Sequence, residues 1–157
     1  MRLNPGEQIG ANQIQLWIDV NDPQCVLAAI RHNANQTAEA RDIVYYDNLS
    51  TTDHAVRLEE QVSSYLLTIE PQALDRSDAA ILIALWTPNG LTKAAPMALT
   101  IEPGGKCADL GTLGVRGNTL IIGAIHNNGA GIKFTYRPSL FAGEMPDLFH
   151  KFGVDIA

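Results

Sequence analysis

Four histidines, two cysteines and a few serines are the side chains of this chain that could carry acid–base or nucleophilic chemistry. His32, His54, His126 and His150 form no H-x-H, H-x-x-x-H or mixed Cys/His spacing of the kind that holds zinc. Isolated imidazoles without such a partner read as solvated side chains. Ser50, Ser63, Ser64 and Cys107 could act as nucleophiles, but none lies in a G-x-S-x-G elbow. A hydrolase also needs a base and an orienting group beside its nucleophile. Gly104-Gly105-Lys106 lacks the earlier Gly and the following Ser or Thr of a phosphate loop, so it reads as a turn. Gly111, Gly114 and Gly117 copy nucleotide-fingerprint spacing only superficially, because Gly117 precedes a strand pattern rather than a helix. Cys25 and Cys107 match no metal or redox motif and read as two free, mostly buried thiols.

The elements that must position these groups are mainly strands. Ile14, Leu16, Ile18 and Val20 alternate with Gln15, Trp17 and Asp19, a period of two that buries one face. Trp17 falls on the polar side of that strand. It is either a platform for a ligand or partner, or it is covered by a helix or a second sheet. Cys25–Ile30 is a short apolar run, and His32–Thr37 reads as a loop or hairpin turn. Ile43–Tyr46 is β-branched and aromatic and predicts a strand. Ala55–Leu58 and Ser64–Ile69 give weaker strand patterns, and Pro71–Asp78 a connection with one helical turn. Ala79–Trp86 predicts a strand buried on both faces. Met97–Ile101, Thr119–His126 and Ile132–Tyr136 complete the strand set, with a Gly-rich hairpin over Asn127–Gly131. Met145, Leu148, Phe149 and Phe152 fall at i, i+3, i+4 and i+7. With Pro146 at a helix start and Gly153 just past its end, they predict a short helix packed on a sheet.

About nine short strands separated by turn signals predict an all-β fold. The expected form is a β-sandwich of two mostly antiparallel sheets with a short C-terminal helix, as one domain over residues 1–157. Apolar residues make up 46% and charged residues 18% of the chain, so it can fill a core. A formal net charge of −6 argues against nucleic acid and anionic membrane as partners. No apolar run is long enough for a spanning helix, and the opening Met1–Gly6 lacks an apolar signal-peptide region, so the expected location is the cytoplasm.

Several segments, in order, resemble the TerD family of tellurium-resistance and stress proteins, and within it the TerA-like branch. Asp42-Ile43-Val44-Tyr45-Tyr46-Asp47-Asn48 is similar to the family's "DFVFYNN" strand, and Leu49-Ser50-Thr51-Thr52-Asp53 to its "SPDG" loop. Ile122 to Phe134 resembles the "FGELYRHNGEWKF" hairpin, Phe141-Ala142-Gly143 its "FAGG", and Phe152 to Ile156 its closing segment. Leu3 to Ile9 is similar to the opening of the branch. No one motif is specific; their order and spacing carry the resemblance.

The resemblance implies a β-sandwich, a role in tellurite and stress resistance without an enzymatic reaction, and calcium bound at loops rich in Asp and Gly. Calcium takes six to eight oxygen ligands. The family's acidic, Gly-rich loop is replaced here by His54–Ser64, and the Gly of the short loop is His54. Asp22 and Asp53 stand where the family places acidic loop residues, with Glu59 as a substitute ligand. Arg57 opposes them: a positive charge about 6 Å from a divalent ion costs roughly 5 kcal/mol at an effective dielectric near 20. The expected site is therefore weak or lost. The expected function is a non-catalytic module that assembles with related stress-response proteins or with itself, and a small-molecule or calcium-binding sandwich is the alternative. Trp17 and His54 are the candidate partner or ligand surface.

Overall fold

The structure, a computed structural model, describes residues 1–20, 22–61, 64–74, 78–91, 97–110, 117–127, 129, 131–155. Among the described residues, eleven strands form two antiparallel sheets. The larger sheet contains β1 (Gln8–Ala11), β3 (Val26–Asn33), β4 (Ile43–Val44), β7 (Asp78–Trp86), β10 (Thr119–Asn127) and β11 (Ile132–Phe141). The smaller contains β2 (Ile14–Asp19), β5 (Val56–Glu60), β6 (Ser64–Ile69), β8 (Ala98–Glu102) and β9 (Lys106–Asp109). The strand orders are β1-β11-β10-β7-β3-β4 and β5-β6-β2-β8-β9. One short helix, α1 (Met145–Lys151), follows the last strand. Among the described residues no helix is long and apolar enough to cross a membrane.

Period-two alternation explains the common interior. Ile14, Leu16 and Ile18 of β2 face Ile81, Ile83 and Leu85 of β7 and Phe134 and Tyr136 of β11 in one core. Each such side chain, fully buried, contributes about 1.5–3 kcal/mol by leaving water. β3 and β7 read as unbroken apolar runs because their outer faces are buried as well. Ala28, Ile30 and Ala84 lie beneath Met145, Leu148, Phe149 and Phe152. The predicted helix stripe is thus the one observed. Gly153 follows with φ +82°, the left-handed conformation that suits glycine after a helix.

Several boundaries differ from expectation. β3 continues through His32 and Asn33, because pairing with Ala80 and Asp78 carries the polar residues along. β4 is only two residues long, and Tyr45 turns back to pair with Asn48. β1 and β9 were not anticipated. Both are four-residue edge strands, whose existence depends on a neighbour's free backbone groups more than on their own pattern.

β10 carries an irregularity in register between Ile121 and Gly123 against both of its neighbours. Tyr136 and Ser139 of β11 oppose Gly123 and Ile121, so Arg137 and Pro138 stand against the single residue Ile122. A proline has no N–H for a sheet ladder and is tolerated at such a bulge. Gly123 is fixed by the same geometry: a Cβ there would lie 2.2 Å from the Thr135 carbonyl oxygen. Backbone on the other side cannot swing away as a side chain would. Gly123→Ala should therefore lower unfolding stability by about 2 kcal/mol or more in urea titration. A change within a few tenths of a kcal/mol would show that the strands are not this close.

Candidate functional site

The three carboxylates named from sequence do not converge. Ile14, at the start of β2, pairs with Ile69, and Ile69 pairs with Val56, so Asp53 lies beyond that end of the sheet. Asp22 follows the other end of β2. Six strand residues separate the two ends by about 20 Å. Glu59 sits in between, exposed, opposite Leu66 on the outer face. Asp22, Asp53 and Glu59 therefore supply no shared ion site. Among the described residues no group of three or more His, Cys, Asp or Glu is arranged to hold a metal.

Both aspartates are committed to structural work instead. Asp53 joins Asp42 around a buried arginine: Arg31 Nη1 lies 2.9 Å from Asp53 Oδ2, and Arg31 Nη2 lies 2.7 Å from Asp42 Oδ1. Arg31 follows the inward positions Leu27 and Ala29 on β3, so its side chain enters the end of the sandwich, where it also donates to the Ala73 carbonyl. Asp53 further accepts from Thr51 Oγ1 at 2.7 Å and from the Ala55 N–H at 3.1 Å. Partial burial works against its charge, but the bonds from Thr51, Arg31 and Ala55 outweigh it and lower the carboxyl to about 2. A guanidinium thus bridges the carboxylates from which a cation site would have to be built. At the opposite end, Asp22 is 7% exposed and accepts from Thr87, the Gln24 N–H and Asn89. The Thr87 bond is the main cause of its lowered pKa, against the opposing effect of burial.

His54 holds φ +59°, so the loop keeps a left-handed conformation although the residue is not glycine. Its Nδ1 lies 3.1 Å from Ser50 Oγ, but that hydroxyl donates to the Thr51 carbonyl and is not poised as a nucleophile. Trp17 lies in the middle of β2, half-buried, between Leu66 and Thr100 on the outer face of the smaller sheet. Helix α1 packs on the other sheet, so it does not cover Trp17. Trp17 and His54 lie at different places on the sheet and form no joint platform. Cys25 is buried as expected, and burial pushes its thiol up to about 12. Cys107 is exposed, contrary to expectation, because β9 is an edge strand that turns it outward opposite Thr100.

A further feature was not read from the sequence. Helix α1 covers β3 and β7 but leaves the outer face of β10 and β11 open as a shallow groove of about 690 Å³. Leu82, Ile121 and Ala124 supply its apolar lining, Lys133 and Arg137 its charge, and His126 an imidazole beside them. His126 and Lys133 are direct cross-strand neighbours. Lys133 and Arg137, four residues apart on one strand, stand about 13 Å apart along it. Neither is ion-paired among the described residues, whereas Arg31, Arg41, Arg57 and Lys106 all meet carboxylates. Partial burial first, then the charges of Lys133, His32 and Arg137, lower the pKa of His126. The only sequence signal was the alternation Lys133, Thr135, Arg137 against Ile132, Phe134, Tyr136, which gives the face but not the concavity.

Comparison with known proteins bears on the fold. No protein-family model and no curated protein matches the chain. Solved structures do, two of them as follows. A protein of unknown function, SAV2460, superposes with a TM-score of 0.71 at 16% identity, over 95% of this chain and 100% of that one. A homologue of the telluride resistance protein (TerD), SCO6318 from Streptomyces coelicolor A3(2), superposes with a TM-score of 0.68 at 15% identity, over 88% and 94%. The chain has a TerD-like fold.

The Arg31 cluster makes a pH prediction. Asp53 has a folded pKa below its unfolded value, so its contribution is complete above about pH 4 and is lost as pH falls toward 2. In urea titrations across that range, Asp53→Asn should be less stable than wild type at neutral pH, and the two should converge near pH 2. A constant difference would mean that the carboxylate charge is not what Arg31 holds.

Proposed function

We propose that the chain is a non-catalytic binding module of the tellurite-resistance type, on the TerA-like branch, working in the cytoplasm. It acts by engaging related stress-response proteins, copies of itself or a small ligand, and its binding surface is the groove on β10 and β11. The fold shared with a TerD homologue supports the type. The groove itself carries the reading: it is a concave, electropositive strip on a chain of net charge −6, left uncovered beside α1. Like-signed charges gathered on a face cost stability by mutual repulsion, so a strip of this kind is better explained by recognition than by folding.

Catalysis is not part of the reading. Among the described residues, the Ser50–His54 contact has no orienting third group in hydrogen-bond reach of His54, and Cys107 neighbours Thr100 rather than a base. Calcium is not part of it either. The candidate ligands lie at separate places, and the Asp22 and Asp53 carboxylates already accept bonds from within the chain.

A small-molecule occupant is favoured by the size of the groove. Its volume lies within the roughly 300–1,000 Å³ typical of ligand sites.

The test is genetic. In a strain lacking this chain, wild type and Arg41→Glu, an exposed change away from the groove, should restore tellurite tolerance equally. The double variant Lys133→Glu, Arg137→Glu should restore little, with its melting temperature within a few degrees of wild type. Full rescue by the double variant would refute the groove as the working surface.

A further inference from the structure

We propose that the groove on β10 and β11 takes an amphiphilic small molecule with two anionic ends, one held by His126 and Lys133 and the other by Arg137, its apolar middle lying on Leu82 and Ala124. This rests on the reading that the groove is the binding surface and names the chemical class of its occupant.

Three features of the strip select that class. The first is its two poles. Lys133 and Arg137 project from the same face of β11, about 13 Å apart along the strand. One oxyanion cannot bridge that distance, whereas a chain carrying an acid at each end can. His126 sits directly across from Lys133, so that pole can add a ring N–H donor to the ammonium. The second feature is the middle. Between the poles lie Ala124 of β10 and Leu82 of β7 beside Thr135 of β11, and Leu82 also packs against the helix cluster, so the floor is continuous with the covered part of the sheet. A fully polar dianion would leave this surface wet and gain nothing from it. The third is the absence of competition. No carboxylate lines the strip, and neither Lys133 nor Arg137 is tied to one elsewhere among the described residues. An anionic ligand therefore displaces water, not an existing ion pair.

The bulge explains why such a strip exists here. The insertion of Arg137 and Pro138 against Ile122 adds local twist to β10 and β11.

Calorimetric titration of the whole chain with decanedioate, decanoate, inorganic phosphate and decanediamine tests this. Decanedioate should bind, decanoate roughly tenfold more weakly, phosphate weaker still, and the diamine not at all; added salt should weaken the dianion. Lys133→Gln and Arg137→Gln, both surface changes, should each weaken decanedioate roughly tenfold, while Arg41→Gln should leave it unchanged. Phosphate binding as tightly as decanedioate, or binding unaffected by either glutamine variant, would overturn the two-ended ligand. If decanedioate fails to bind while the groove variants still lose tellurite tolerance, the ligand class is wrong and the binding surface stands. If it fails and those variants keep full tolerance, both are wrong.

Discussion

The packing of α1 across β3 and β7 divides this sandwich into interior and surface. Leu148 and Phe149 are fully buried against Ala28, Ile30 and Ala84, small and aliphatic residues that let the helix lie close. The helix has only seven residues, so it covers part of a six-stranded sheet and no more. What remains beyond its edge, on β10 and β11, is neither core nor an ordinary polar face. The bulge of Arg137 and Pro138 against Ile122 and the close approach at Gly123 lie along that remainder, which forms a groove.

The distribution of charge follows from the same division. Where charge is buried it is matched: Arg31 with Asp42 and Asp53, Asp22 with Thr87 and Asn89. Taking one member from such a set leaves a largely buried polar group short of a partner, so these residues serve the fold before anything else. The loop carboxylates that the resemblance assigned to calcium belong largely to this class. The cations of the open strip do not. Their only evident structural consequence is mutual repulsion, felt by His126.

Much of the fold was legible because its strands are amphipathic in one register. Ile14, Leu16 and Ile18 against Gln15, Trp17 and Asp19 leave no ambiguity about which face turns inward. The Met145–Phe152 stripe was equally plain, since a helix repeat and its flanking Pro146 and Gly153 agree. Edge strand β1 was hidden because its partner, Phe134 of β11, lies far away in sequence, and β9 because the four residues Lys106–Asp109 are too few to show an alternation. The site was less readable than the fold. Asp22 and Asp53 looked like ligands because sequence shows residue type without showing that Arg31, an inward cation on an apolar strand, reaches one of them. Lys133 and Arg137 drew no reading from the sequence, because alternation assigns a face but cannot say whether a helix ends before reaching it.

The account depends most on the open strip being electropositive, and His126 reports this from within it. Its imidazole pKa, followed by NMR titration in the free protein, should lie below the usual histidine value of about 6.5, first through burial, and rise toward it in Lys133→Gln and in Arg137→Gln as their charges are removed. A His126 that titrates at or above that value, and ignores both substitutions, would contradict the account.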